Sequence, residues 1–468
     1  MDATAQPGPL AHREARLIVM SMMVPVFMGS MDQTILASAL PAIGRQFGDV
    51  HNLPWLIAAY LITSTASTPL YGKVSDIHGR RFALAIALGA HLVGSLLCAL
   101  SGSLALLIVG RAVQGLGGGG LTSTGMVVLG DVAAPKERAR YYGYFSVTYT
   151  TAGACGPALG GFLADYLHWS AIFWLNVPLE LFGIFVTLAV MKRLPRHDRP
   201  HRLDLVGAVL IVLATVAFML ALTSGGVQFA WDSTPILALT AAAAVIGGLF
   251  VARLLTAPEP LIPLAILKDP AARCSIAANA LGWGGVIGLN IFLPVYLQDV
   301  LRLSATSSGL SLMVLMAVLN ASAGLSSVLI GRHRRYKTVP LIGLAAAIAA
   351  VLVLAWRADR VDTLAFEVIL AVLGIGFGPL APLTTVCLQN AVAPYQFGTA
   401  VGTMTFLRTL TAMVLVAVFG AIVLKNAAHA ASAANFQVVF LIAAGSIAAA
   451  FVALLLLEER PLTARHDR

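Results

Sequence analysis

The sequence predicts an all-α, polytopic membrane protein, and three observations carry that prediction. Of 468 residues, 59% are hydrophobic and 11% are charged, whereas soluble domains run at about 25% charged. The apolar residues gather into runs of about 20, the length an α-helix needs to cross a bilayer. The alternating pattern of a membrane barrel strand is missing, and lipid admits only helices and closed barrels. The net charge of +9 lies mainly in the short segments between runs. That placement orients a membrane protein and does not require a nucleic-acid partner.

Taken in order, the predicted spans are residues 17–40, 55–71, 82–100, 104–129, 141–166, 170–191, 205–223, 235–255, 274–298, 305–330, 338–356, 363–387, 398–424 and 436–457. The first run is long and contains Asp32, so it reads as a retained span and not as a cleaved signal. With both ends placed in the cytoplasm, 23 of the 30 Lys and Arg residues fall inside and 5 outside, with Arg111 and Arg408 within spans. This asymmetry supports an even number of spans. Shifting the chain by 259 residues lays Gly72 on Gly331, Gly115, Gly117 and Gly119 on Gly374, Gly376 and Gly378, and Pro135 on Pro394. That suggests a duplication. The expected organisation is a tail at 1–16, a six-helix bundle at 17–202, a two-helix insertion at 203–256, a second six-helix bundle at 257–458 and a tail at 459–468. The basic stretch 192–202 and the proline-marked stretch 257–263 flank the insertion. Parallel halves with a site between them near the midplane are an arrangement common in transporters.

The four cysteines, Cys98, Cys155, Cys274 and Cys387, all lie in apolar runs without a Cys-x-x-Cys pair. They suggest neither a disulfide framework nor a zinc site. No metal or cofactor is expected. A membrane enzyme lacks support, since there is no nucleotide loop, ligand cluster or Ser/His/Asp pattern. Gly115-x-Gly117-x-x-Gly120 fits a dinucleotide fingerprint only in spelling, because it lies inside one long apolar run with no strand before it.

Charged residues inside spans need a reason, since each costs roughly 2.5–3.5 kcal/mol on insertion scales. Asp32 stands about 22 Å into the first run and Arg111 about 10 Å into the fourth, entered from the opposite side. The two can share a depth, as a static ion pair or as a protonatable switch. Glu180, about 15 Å into the sixth run, matches the depth of Arg408 in the thirteenth. It packs against Arg408 or a polar neighbour, or forms a second proton or cation site. Glu367, near an outer helix end, is expected to reach water.

The segment Gly72 to Arg81, GKVSDIHGRR, reads as a polar turn at the water interface. Gly72 and Gly79 would permit the reversal, and Asp76 sits among Lys73, Arg80 and Arg81. It is at least an orientation signal. Gly143, Gly156, Pro157, Gly160 and Gly161 make the fifth run unusual: glycine and proline weaken and kink a helix, and small residues let another helix approach. This suits plain packing, a hinge, or both. Tyr60, Gln114, Tyr149, Trp283, Asn290, Phe292, Tyr296 and Phe406 are candidates to line a substrate cavity, since aromatic faces bind lipophilic or cationic ligands, although such residues also pack.

These motifs occur together in one order. Gly72-x-x-x-Asp76-x-x-Gly79-Arg80-Arg81 resembles the signature loop of the major facilitator superfamily, with Val74 and Ile77 departing from its usual pattern. Asp32-x-Thr34 followed by Ala39-Leu40-Pro41, Arg111-x-x-Gln114-Gly115-x-Gly117, and Gly156-Pro157-x-x-Gly160-Gly161 resemble motifs of its fourteen-span drug:proton antiporter family. Arg408 in FLRTL resembles an arginine common there, without the glycines that usually follow. Ala152 stands for a glycine, and the second-half loop GRHRRYKTVP lacks the acid. The resemblance covers nearly the whole chain. It implies the major facilitator fold with two six-helix halves and two extra central spans, fourteen in all, in a bacterial inner membrane. It implies proton-coupled efflux of lipophilic or cationic drug-like compounds, of the kind tied to antibiotic resistance, by a monomer driven by the proton gradient alone. Asp32 would carry the proton and Arg111 tune it; Arg408 is a further coupling candidate, and Glu180 is one by its place within a span, where the family has no acid. Asp76 would be a latch between the halves, and the fifth span a hinge. Export of one metabolite, lipid or siderophore, or import or uniport, are the alternatives.

Overall fold

The computed structural model describes residues 12–49, 52–133, 135–191, 203–226, 228–332, 336–423 and 432–460. The basic stretch 192–202 and most of both predicted tails lie outside the described residues.

The first six helices are α1 (His12–Phe47), α2 (Pro54–His78), α3 (Arg80–Ala99), α4 (Leu104–Val132), α5 (Pro135–Tyr166) and α6 (Ala171–Val190). Two follow between the halves, α7 (Leu205–Ser224) and α8 (Thr234–Thr256), then a single turn α9 (Leu264–Lys268). The second set is α10 (Pro270–Val295), α11 (Ala305–Arg332), α12 (Thr338–Trp356), α13 (Thr363–Phe377), α14 (Leu380–Ala391), α15 (Phe397–Val423) and α16 (Ala433–Leu456). Several starts are fixed by local chemistry. The Ser103 hydroxyl accepts from Leu106 N–H at 3.2 Å at α4. Asp269 accepts from the N–H groups of Ala271 and Ala272 at 2.8 and 3.0 Å at α10, with Pro270 pre-set for the first turn. At α7, Asp204 accepts from Gly207 N–H at 3.0 Å and also pairs with Arg253 of α8 at 3.1 Å.

Among the described residues, twelve helical segments are long and apolar enough to cross a membrane. The sequence predicts fourteen spans; the segments outside this count are α2 and α5. Both are long, at 25 and 32 residues, but both carry many hydroxyl, tyrosine and glycine residues. Their packing gives the reason. α2 lies against α15 and α5 against α11, so each faces the opposite half of the molecule. The twelfth predicted span, 363–387, is two helices, broken at Gly378-Pro379, where proline removes a backbone donor.

Within the first set α4 packs on α2 and α3, α1 on α5 and α3 on α6; within the second, α10 packs on α15 and α16, and α12 and α13 on each other. Glycines set the approach of these pairs, and they do so with the repeat of the sequence. A Cβ on Gly115 would lie 2.9 Å from Tyr60 Cα, and one on Gly374 2.8 Å from Leu319 N. Gly119 meets Ser64, and Gly378 meets Ala323, whose N would lie 2.6 Å from the added atom. Tyr60 and Leu319, like Ser64 and Ala323, are themselves 259 residues apart. The same helix contact is therefore built twice. α7 and α8 pack together, and α7 rests on both α2 and α15, across the seam between the two sets.

Candidate functional site

Asp32 is fully buried on α1. Its Oδ2 accepts from Arg111 Nη1 of α4 at 2.6 Å, and its Oδ1 accepts from Gln114 Nε2 at 2.9 Å and Asn176 Nδ2 of α6 at 3.1 Å. The guanidinium also donates to Gln114 Oε1 at 2.6 Å and to the Leu56 carbonyl at 3.1 Å, and it lies 4.4 Å over the Tyr60 ring. Gln114 Nε2 donates to Ser95 Oγ at 2.9 Å, and Ser95 donates to Glu180 Oε1 at 2.7 Å. Glu180 Oε1 faces His91 Nδ1 at 2.5 Å, with both side chains fully buried. Two carboxylates are thus joined through Gln114 and Ser95 in one hydrogen-bonded chain. Arg111 balances Asp32. Tyr60 Oη, Glu180 Oε2 and His91 Nε2 are buried without a partner among the described residues.

Helical spacing puts these groups together. His91 and Ser95 are four residues apart, as are Asn176 and Glu180, while Arg111 and Gln114 are three apart, so each pair shares a helix face. His91, Ser95 and Asn176 are members that the sequence reading missed, although that spacing signals them.

A second cluster closes one end of the seam. Asp76 Oδ1 pairs with Arg80 Nη1 at 2.5 Å and accepts from Gly398 N–H at 2.9 Å. Its Oδ2 accepts from Thr399 N–H at 2.7 Å and from Thr399 Oγ1 at 2.8 Å. The carboxylate of α2 thereby caps the N-terminus of α15 in the other half, where the helix dipole favours negative charge. Arg80 also binds Asp131 at 2.7 Å and the Pro394 carbonyl at 3.3 Å. Further contacts cross the seam. Gln389 Nε2 donates to the Met126 carbonyl at 3.0 Å, Ser146 bonds Asn320 Oδ1 at 3.0 Å, and Arg138 lies 5.1 Å over Phe397.

Several expectations change here. Gly72 is not a turn residue: α2 continues to His78 and only Gly79, at φ 89°, reverses the chain. Gly72 instead lets α15 approach, since its Cβ would sit 3.0 Å from the Gly398 carbonyl carbon. Arg81 forms no ion pair with Asp76, and its Nε lacks a partner among the described residues. Glu180 pairs with His91 and not with Arg408, whose guanidinium lies 5.9 Å over Trp283. Equal depth in two spans does not make them neighbours. Tyr60 and Gln114 are held in the buried chain around Asp32 and do not line an open site. Tyr296 is fully buried among Phe366, Phe436 and Phe440, and its hydroxyl donates to the Ala358 carbonyl at 2.9 Å. Phe406 packs with Ile211, Phe250 and Leu254 under the inserted pair of helices. Phe292 stacks edge-on to Phe419 at 6.2 Å, and Asn290 donates to Val286 of its own helix at 3.1 Å. Tyr149 of α5 stays within electrostatic reach of Arg408. Glu367 accepts from Ser311 at 2.5 Å, half-buried, and does not reach out to water. In the fifth span, Gly156 and Gly160 pack against Thr34 and Ile35 of α1, whereas an added Cβ at Gly161 meets nothing and one at Gly143 lies 3.9 Å from Gly324 across the seam.

Two packed sets of long apolar helices, with ionisable side chains sunk in one set and a seam clasped at one end, are the architecture of a polytopic membrane protein. The sequence matches the Major Facilitator Superfamily over residues 22–416, and the chain belongs to that family. It is 33% identical to an uncharacterised MFS-type transporter of Mycobacterium tuberculosis over 89% of this chain and 60% of the relative, so it spans about three fifths of that protein's length. It is 30% identical to the multidrug transporter protein MdtP of Bacillus subtilis, over 87% of this chain and 75% of the relative. Multidrug resistance protein 3 of the same organism matches at 30%, over 87% and 79%. The fold is shared with the human organic anion transporter MFSD10 at a TM-score of 0.66 and 15% identity, over 92% of this chain and 99% of that one. It is also shared with the proton:xylose symporter XylE at 0.63 and 12% identity, over 92% and 94%. The chain is therefore a polytopic membrane protein of the Major Facilitator Superfamily.

Proposed function

We propose that this chain exports lipophilic, drug-like compounds in exchange for protons, as a fourteen-span antiporter of the inner membrane working by alternating access. The observation that carries the reading is the buried chain Asp32–Gln114–Ser95–Glu180, with Arg111 at one end and His91 at the other. The named multidrug relatives support the substrate class.

Asp32 is the proton carrier in this reading. Protonating it removes the charge that balances Arg111. Breaking one side of a buried ion pair costs about 3–5 kcal/mol, which is enough to move a two-state equilibrium by more than a hundredfold. Proton arrival thus disfavours the arrangement seen here, and helix rearrangement follows. The Asp76 clasp holds the opposite bias. With the α2–α3 turn in the cytoplasm, along with both termini, closure at that end is the outward-facing state. Opening it requires the α2–α15 and α5–α11 contacts to part. α2 and α5, about 37 and 48 Å long at 1.5 Å per residue, also span the bilayer, their polar sides covered by the other half. Gly156 and Gly160 allow α5 to move along α1. The protein works as a monomer, with no cofactor beyond the proton gradient.

The test uses proteoliposomes with an imposed pH gradient and a neutral fluorescent lipophilic dye. Wild type is expected to move dye with the gradient, and Asp32→Asn to lose gradient-driven movement while remaining folded, with a lower melting temperature because Arg111 loses its counter-charge. Equal transport by both would remove Asp32 from the mechanism.

A further inference from the structure

Arg408 is an anomaly that the proton network does not absorb. It lies in the middle of α15, half-buried, inside a membrane span. Among the described residues it makes neither an ion pair nor a hydrogen bond, unlike Arg111, whose charge is met by Asp32. Its neighbours are aromatic. The guanidinium carbon lies 5.9 Å over the Trp283 ring of α10, and Tyr149 and Tyr142 of α5 lie within its electrostatic reach. These residues come from both halves, so the charge sits at the seam between them.

A second observation at the same place points to a ligand. Trp283 Nε1 is buried and has no hydrogen-bond partner among the described residues. An indole N–H can only donate, and a guanidinium carries five donors and no acceptor. The pair therefore presents donors that lack an acceptor, next to a cation that lacks a counter-charge. An unpaired charge within a span is expensive and marks a substrate pathway by default. What both groups lack is the same thing, an anionic group with acceptor oxygens, and the planar guanidinium fits a carboxylate or sulfonate in two-point fashion. The flanking rings supply flat apolar surface for an aromatic body.

We propose that Arg408, Trp283 and Tyr149 form an anion-binding subsite at the seam, and that the compound carried is an aromatic or lipophilic organic anion, a carboxylate or sulfonate. This rests on the reading of the chain as an exporter of lipophilic compounds, and it replaces the cationic load expected from the sequence. A cation at this place would face Arg408 directly, with only the aromatic faces to offset the repulsion.

The experiment measures binding of three probes to the purified full chain in detergent micelles by equilibrium dialysis, with empty micelles as the control. The probes are a naphthyl-alkyl carboxylate, its methyl ester and the naphthyl-alkyl ammonium of equal length. Wild type should bind the carboxylate about tenfold or more tighter than the ammonium, the advantage of a charge-assisted pair. Arg408→Gln should lower carboxylate affinity to that of the ester, Arg408→Lys should keep a preference over the ester but bind more weakly than wild type because a single ammonium cannot make the two-point contact, and Trp283→Phe should weaken the carboxylate alone. The Lys and Phe variants keep the charge and the stack respectively, so they carry the test if the Gln variant does not fold. Ammonium bound as tightly as carboxylate, or carboxylate binding untouched by a folded Arg408→Gln, overturns the anion subsite and leaves lipophilic export standing. Binding of none of the three by wild type overturns both.

Discussion

The Asp76→Asn substitution tests the clasp between the halves, and its size can be worked from contacts. Four donors converge on the carboxylate. Arg80 Nη1 and Gly398 N–H reach one oxygen, and Thr399 N–H and Oγ1 reach the other. An amide keeps one acceptor and turns an N–H₂ group toward the remaining two donors. Two hydrogen bonds to a charged group are lost, at about 1.5–3 kcal/mol each, and the ion pair to Arg80 goes with them. A net loss of about 3 kcal/mol for the closed end corresponds to a shift of roughly 100-fold between closed and open forms. The assay is a spin-label distance between His78, exposed at the end of α2, and Thr338, exposed at the start of α12, with the four native cysteines replaced. Wild type should give mainly the short distance and Asp76→Asn mainly a longer one. A distance distribution that does not change on substitution would refute the argument that this carboxylate holds the seam.

Two further substitutions test packing. Gly374→Val should lower the thermal stability by about 1–3 kcal/mol, the usual cost of overpacking, because its first carbon already meets the backbone of α11 at Leu319; an unchanged melting temperature would count against close α11–α13 contact. Tyr296→Phe should lose about 1 kcal/mol with the hydrogen bond to Ala358 while transport continues at the wild-type rate, as expected of a core residue; a transport defect at full stability would return Tyr296 to the substrate path.

Much of the fold was legible because bilayer physics leaves a clear trace: each predicted apolar run is helical, with α1, α2 and α5 running five to seven residues past a predicted end and the twelfth run broken in two. The Asp32–Arg111 pair could be found from depth because both residues are costly and few such residues exist. Depth is silent about direction around the helix axis, which is why Glu180 was set against Arg408 and its true partner His91 was missed. The spacing of His91 and Ser95 was available, but neither residue stands out until Glu180 is seen beside them. Arg80 was legible as a neighbour of Asp76, but the partners of that carboxylate across the seam were not, since two of them are backbone N–H groups at Gly398 and Thr399, and a main-chain donor leaves no mark in the sequence. Aromatic residues in spans were ambiguous for a similar reason. Tyr296 and Phe406 fill the interior, whereas Trp283 sits under a cation, and only packing distinguishes these uses. The break in the twelfth predicted span was written as Gly378-Pro379, a pair that punctuates helices.

The central claim is that export exchanges substrate for a proton carried on Asp32, so that substrate binding and protonation of Asp32 are linked. The most direct measurement adds a saturating lipophilic ligand to the purified protein in weakly buffered detergent solution and reads proton release with a soluble pH dye. The account predicts release from wild type that disappears in Asp32→Asn while the ligand still binds. Equal release from both proteins, or none from wild type at saturation, would contradict proton exchange through Asp32.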